Sequence, residues 1–180
     1  MHGYTPLSFT FLFLSIISFT LFCDTFDFSM AQESRENLIV IPEPGDNIVT
    51  YGTDRSDIIV GNSIVNMIVG EESDDVLMGR LGNDELHGNE GNDILQGSLG
   101  GDNLFGYEGD DILFGGAEED FMSGDKGNDR LYGDLGDDLL EGGLGADYFD
   151  CGEGYDVIID FRKAEKDTAQ NNCEEIRTNV

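Results

Sequence analysis

Residues 52–159 write one nine-residue unit twelve times, with no insertion or deletion. A fixed short period restricts the chain to architectures in which each repeat is one structural unit stacked on its neighbours. The clearest copies are GNEGNDILQ at Gly88–Gln96 and GYEGDDILF at Gly106–Phe114. Position one is Gly in eleven copies and Cys151 in the twelfth. Position four is Gly82, Gly91, Gly100, Gly109, Gly127, Gly136, Gly145 and Gly154. Position six is Asp57, Asp75, Asp84, Asp93, Asp102, Asp111, Asp120, Asp129, Asp138, Asp147 and Asp156, with Asn66 as the one exception. Position eight is apolar throughout, from Ile59 and Ile68 through Leu77 to Leu113 and on to Phe149 and Ile158.

Each position has a physical reading. Glycine supplies positive φ and close backbone approach, which tight turns need. Positions seven to nine read as a short strand in which side chains alternate, so position eight points one way and its neighbours the other. One apolar side chain per nine residues is too little for an ordinary core. It suffices if the chain coils so that two sheets face each other across a single apolar layer. Eighteen residues then make one coil of turn, strand, turn and strand.

The pattern resembles the RTX (repeats-in-toxin, hemolysin-type) family, whose consensus G-G-x-G-x-D-x-U-x has a large aliphatic residue at U. The resemblance covers residues 52–159. It implies an all-β fold, a parallel β-roll built as a two-sheet right-handed solenoid of twelve nine-residue repeats with short terminal caps. It also implies Ca²⁺ ions held between the turns. Calcium takes about six to eight oxygen ligands from carboxylates and carbonyls. Repeats i and i+2 stack on one edge of a roll at roughly 4.8 Å. That places Asp84 near Asp102, Asp93 near Asp111, Asp111 near Asp129, and Asp129 near Asp147, each pair able to sandwich one ion. The expected ligands are Asp75, Asp84, Asp93, Asp102, Asp111, Asp120, Asp129, Asp138, Asp147 and Asp156. Turn carbonyls at Gly82, Gly91, Gly100, Gly109, Gly127, Gly136 and Gly145 complete the set, for at most ten inter-turn sites. The first three repeats carry Arg55, Ile64 and Ser73 at position four, and Asn66 loses a charge, so this end is expected to coil without metal. Glu118 replaces the position-four Gly of repeat eight and puts its sites in question.

Charge points the same way. The chain carries a net −29. Removing residues 1–31 takes away Asp24 and Asp27 and no Lys or Arg, leaving −27. Such a charge opposes compaction by self-repulsion, so cations must neutralise the carboxylates. With no basic patch, nucleic acid is excluded as a partner.

The flanks are read separately. Leu7–Cys23 is nearly all apolar or hydroxylic and fits a cleaved secretory signal or a retained membrane anchor. Ser29-Met30-Ala31 has the small-x-small form of a cleavage site. Residues 32–51 are expected to cap the roll, with Leu38–Ile41 as a strand broken by Pro42 and Pro44. Residues 160–180 are expected as a C-terminal cap or tail. In an exported chain without its signal, Cys151 and Cys173 are the two remaining cysteines and are expected to pair.

An enzyme is not expected. The chain after residue 31 has one histidine, His87, at an outward ninth position, and no nucleophile–base set or zinc cluster. The expectation is a secreted or cell-surface calcium-binding protein with a structural role. An adhesion or assembly module and a non-catalytic remnant of a larger RTX exoprotein are the alternatives. For a contact surface, the odd repeats offer an apolar ladder at position seven, Ile58, Val76, Ile94 and Ile112. The even face is interrupted by Glu85 and Asn103.

Overall fold

A computed structural model describes residues 37–43, 49–163 and 165–178. The expected signal or anchor at 1–31 lies outside them. The chain coils as a two-sheet parallel β-solenoid of sixteen strands, with no helix among the described residues. One sheet holds every odd strand in order and the other every even strand. The twelve repeats supply β3 (Asp57–Val60), nine six-residue strands from β4 (Met67–Glu72) to β12 (Leu139–Leu144), β13 (Tyr148–Asp150) and β14 (Val157–Phe161).

The flanking segments continue the coil. β1 (Asn37–Val40) pairs with β3, and β2 (Val49–Tyr51) with β4. At the far end β15 (Thr168–Ala169) pairs with β13, and β16 (Glu175–Thr178) with β14. β2 keeps the eighteen-residue register, aligning Thr50 with Ile68. β1 and β15 are displaced by two further residues, aligning Ile39 with Ile59 and Phe149 with Ala169.

Register puts position eight of every repeat in one apolar layer. Ile59, Leu77, Leu95, Leu113, Leu131 and Phe149 align in the odd sheet. Ile68, Leu86, Leu104, Met122, Leu140 and Ile158 align in the even sheet. All twelve are fully buried. Complete burial of one such side chain is worth about 1.5–3 kcal/mol, and a register slip of one residue would expose the whole layer.

The strands are longer than the sequence suggests. Positions seven to nine continue through positions one to three of the next repeat, as in β5 (Val76–Leu81) and β7 (Ile94–Leu99). The turn proper is positions four to six. Position one is therefore an inward strand position, and its glycine serves close approach. A Cβ on Gly88 or Gly106 would fall 2.3 Å from a carboxylate oxygen of Asp93 or Asp111.

Position two bends the strand into the left-handed region even where it is not glycine. Arg80, Ser98 and Tyr107 have φ of 85°, 87° and 78°. An L-residue there carries about 1–2 kcal/mol of strain. Ser98→Gly is therefore expected to raise unfolding stability by about 1 kcal/mol. Denaturant titration in saturating Ca²⁺ checks this, and an unchanged or lower midpoint would contradict it.

Candidate metal sites

The position-six aspartates form two columns, one along each edge of the roll. Within a column, Oδ1 of each aspartate from Asp75 onward accepts the backbone N–H of the position-six residue one coil earlier, whereas Oδ1 of Asp57, the first, is buried without a partner. In the odd column Asp93 accepts from Asp75 at 2.7 Å, Asp111 from Asp93 at 2.7 Å, Asp129 from Asp111 at 2.8 Å and Asp147 from Asp129 at 3.0 Å. In the even column Asp102 accepts from Asp84 at 2.7 Å, Asp120 from Asp102 at 2.7 Å, Asp138 from Asp120 at 2.9 Å and Asp156 from Asp138 at 2.9 Å. The neighbours expected from sequence are thus brought together.

The second oxygen is left over. Oδ2 of Asp75, Asp84, Asp93, Asp102, Asp111, Asp120, Asp129, Asp138, Asp147 and Asp156 is buried with no hydrogen-bond partner. Each of these residues is at most 3% exposed. A buried acceptor without a partner costs about 1–3 kcal/mol, more when charged. A regular series of them calls for an explanation.

Burial pushes these carboxyls far above the usual range. Asp84, Asp93 and Asp147 reach about 6. Asp75, Asp102, Asp111, Asp129 and Asp138 reach about 7, and Asp120 about 8. Desolvation dominates, and the N–H from the previous coil only partly offsets it. Neighbouring carboxylates such as Asp93 beside Asp75 push in the same direction as burial.

The turn backbone supplies further oxygens. Gly82, Gly91, Gly100, Gly109, Gly127, Gly136 and Gly145 all take positive φ, between 111° and 147°. They pack so closely that a Cβ on Gly109, Gly127 or Gly145 would come within 1.6 Å of the position-four carbonyl one coil back. Carbonyls at position three accept from position-four N–H groups, as Lys126 does from Gly109 at 2.9 Å. The position-four carbonyls accept no backbone hydrogen bond among the described residues. Glu118 keeps the turn of repeat eight, with φ 82°, and Asp120 stays in its column, 3% exposed. The glycine is absent there but the conformation it serves is not.

No three His, Cys, Asp or Glu side chains converge into a metal-sized cluster among the described residues. A cation held here would draw one or two carboxylates from a column and the rest of its oxygens from turn backbone. Hard, carbonyl-tolerant Ca²⁺ suits that donor set, whereas zinc prefers His and Cys.

The first coils differ. Asp57 Oδ2 accepts from both the N–H and the hydroxyl of Thr53, at 2.6 and 3.0 Å. Asn66 and Asn62 bond each other, Oδ1 of Asn66 accepting from Asn62 N at 2.8 Å and its Nδ2 donating back at 3.0 Å. Protein groups fill the place that is left orphaned in later repeats.

Two column members escape the repeat pattern. Asp167 Oδ1 accepts from Asp147 N at 3.2 Å, and Glu174 Oε2 accepts from Asp156 N at 2.9 Å. Glu174 follows Asp156 by the coil length of eighteen, a signal present in the sequence. Asp167 is hidden by a two-residue insertion. The Sγ atoms of Cys151 and Cys173 lie 2.02 Å apart.

The outer faces also differ. Ile58, Val76, Ile94 and Ile112 are aligned in neighbouring odd strands, and Ile94 is 39% exposed. On the even face His87 stacks on Phe105 at 5.1 Å, and Phe105 meets Phe121 at 5.7 Å. Tyr107, at position two and outside the strand expected over positions seven to nine, joins this stack because the strand runs on through position two. Its hydroxyl lies 3.1 Å from His87 Nδ1, and Glu85 lies 2.9 Å from Nε2.

Fold and turns together define a two-sheet parallel solenoid whose stacked acidic turns suit cations. The chain matches the family model of the RTX calcium-binding nonapeptide repeat, four copies at a time, over residues 51–86, 87–122 and 123–158. With more than half of its length matched, it belongs to that family, whose repeats form a structural, calcium-binding β-roll. No match was found among curated proteins or among solved structures.

Proposed function

We propose that this is an exported, non-catalytic protein whose β-roll folds on Ca²⁺ bound between stacked turns and serves a structural or cell-surface role. The observation that carries the reading is the run of ten buried aspartates with an unpartnered Oδ2. Each ion would take carboxylate oxygen from Asp75 through Asp156 and carbonyl oxygen from Gly82 through Gly145, in at most ten inter-turn sites. Cys151 and Cys173 would form a disulfide, in keeping with an oxidising destination for a chain led by Leu7–Cys23. Adhesion or assembly through the aligned ladder of Ile58, Val76, Ile94 and Ile112 is a second reading. A sedimentation profile showing only monomer in Ca²⁺ would remove its self-associating form.

The site assignment has a direct test. Asp93→Ala and Asp111→Ala should each raise the Ca²⁺ midpoint of folding by at least about tenfold. Asp57→Ala should move it by much less, because Thr53 already satisfies Asp57 Oδ2. Calcium titrations followed by circular dichroism read this out, and equal shifts at Asp57 and Asp93 would defeat the assignment.

A further inference from the structure

The two aspartate columns end differently. At the odd end the chain adds a cation of its own next to Asp167, although Oδ2 of Asp147 still has no hydrogen-bond partner. Arg162 Nη1 donates to the Gly143 carbonyl at 2.7 Å, and Nη2 pairs with Asp160 at 3.0 Å. Asp167, next in that column, uses Oδ1 for Asp147 N and Oδ2 for Arg162 N. Both of its oxygens are occupied.

Among the described residues the even end places no cation on its last column carboxylate, Glu174. Glu174 occupies the column place above Asp156 but bonds through Oε2 alone. Asp156 is fully buried and its Oδ2 has no partner. The nearby guanidinium of Arg177 is engaged by Glu175 at 2.7 Å. Glu175 also accepts from Tyr155, at 3.2 Å. The last even turn therefore presents one orphaned buried carboxylate oxygen and one free carboxylate oxygen, with no cation among the described residues paired with either.

Glu174 reaches this place because of its neighbour in sequence. Cys173 meets Cys151, which is position one of the repeat that carries the Asp156 turn, with Cα atoms 5.2 Å apart. Asn172 adds bonds from the same turn, Nδ2 donating to Asp150 at 2.7 Å and Oδ1 accepting from Cys151 N at 3.3 Å. These contacts fix the residue immediately before Glu174.

We propose that Glu174 and Asp156 close one further Ca²⁺ site at the end of the even column, and that the Cys151–Cys173 disulfide holds Glu174 in place, so that this site responds to thiol redox state. The proposal rests on the calcium reading above. A dithiol reductant converts the disulfide to two thiols, taking up two electrons and two protons while the reductant becomes a cyclic disulfide. The tether is then lost, and an exposed glutamate must be ordered by the ion alone.

Hydrogen exchange resolved by peptide, in the full chain over a Ca²⁺ series, tests this. Glu174→Gln should raise the Ca²⁺ midpoint for protection of residues 168–178 by at least about tenfold, leaving the midpoint of residues 84–129 unchanged. Reduction by a dithiol should produce the same shift in the tail, and reduction of the Glu174→Gln variant should add nothing more. Glu175→Gln should leave the tail midpoint in place. No tail shift in Glu174→Gln would overturn the proposal, as would independent, additive effects of mutation and reduction, which would mean that the disulfide acts through chain entropy alone. If residues 84–129 show no calcium dependence either, the calcium reading itself fails, a result distinct from failure confined to the tail.

Discussion

In chelator at pH 8 the protein is expected to lose its β-sheet circular dichroism, and to regain it cooperatively as free Ca²⁺ rises to about 10⁻⁴–10⁻³ M, the range of extracellular calcium modules. The apolar layer is one side chain thick. Against it stand a net charge of −29 and ten buried aspartates whose second oxygen has no partner. Ionised, those groups cannot remain desolvated without a counter-charge. An ion bound to the coiled chain and not to the unfolded one supplies that charge and shifts folding by mass action. Mg²⁺ should substitute poorly, because it demands octahedral geometry at about 2.0–2.1 Å and sheds water reluctantly. An equal β-signal in chelator and in millimolar Ca²⁺ would refute the expectation.

Without metal, acid is expected to do part of what calcium does. The nine column aspartates from Asp75 to Asp147 have folded-state pKa values raised to between about 6 and about 8, against 3.8 in a free side chain. A carboxyl whose pKa rises on folding binds its proton more tightly in the folded state. Its contribution favours folding below about pH 4 and is lost as pH climbs through 6 to 8. At only one unit each, nine groups would amount to about 12 kcal/mol, comparable with the whole stability of a typical domain. Lowering the pH from 8 to 5 in chelator should therefore increase β-structure, and Ca²⁺ binding to that acid-folded form should release protons, since protons and calcium compete for the same oxygens. A metal-free β-signal that is flat or falling over that acidification would count against the buried columns.

Much of this was legible in the sequence because the repeat is strict. A period of nine with one apolar residue at position eight leaves coiling into two sheets as the way to bury Ile59 through Ile158. The eighteen-residue coil placed Asp93 beside Asp111 and Asp84 beside Asp102 by counting alone. The left-handed turns at Gly91 and Gly109 followed from the absence of a side chain. Tertiary structure decided what counting along one repeat could not. It carried the strands through positions one to three, so that Gly88 faces the Asp93 carboxylate and Tyr107 joins the aromatic stack of the even face. It turned the flanks into further coils, where a two-residue insertion had hidden Asp167. It also divided each aspartate's two oxygens, one bonded along the column and one left over. The repeat determines which residues stack, because period and register follow from local spacing. What each polar atom finds there depends on backbone groups brought from a neighbouring coil eighteen residues away, or twenty where the flanks insert two, and those contacts exist only once the chain has coiled.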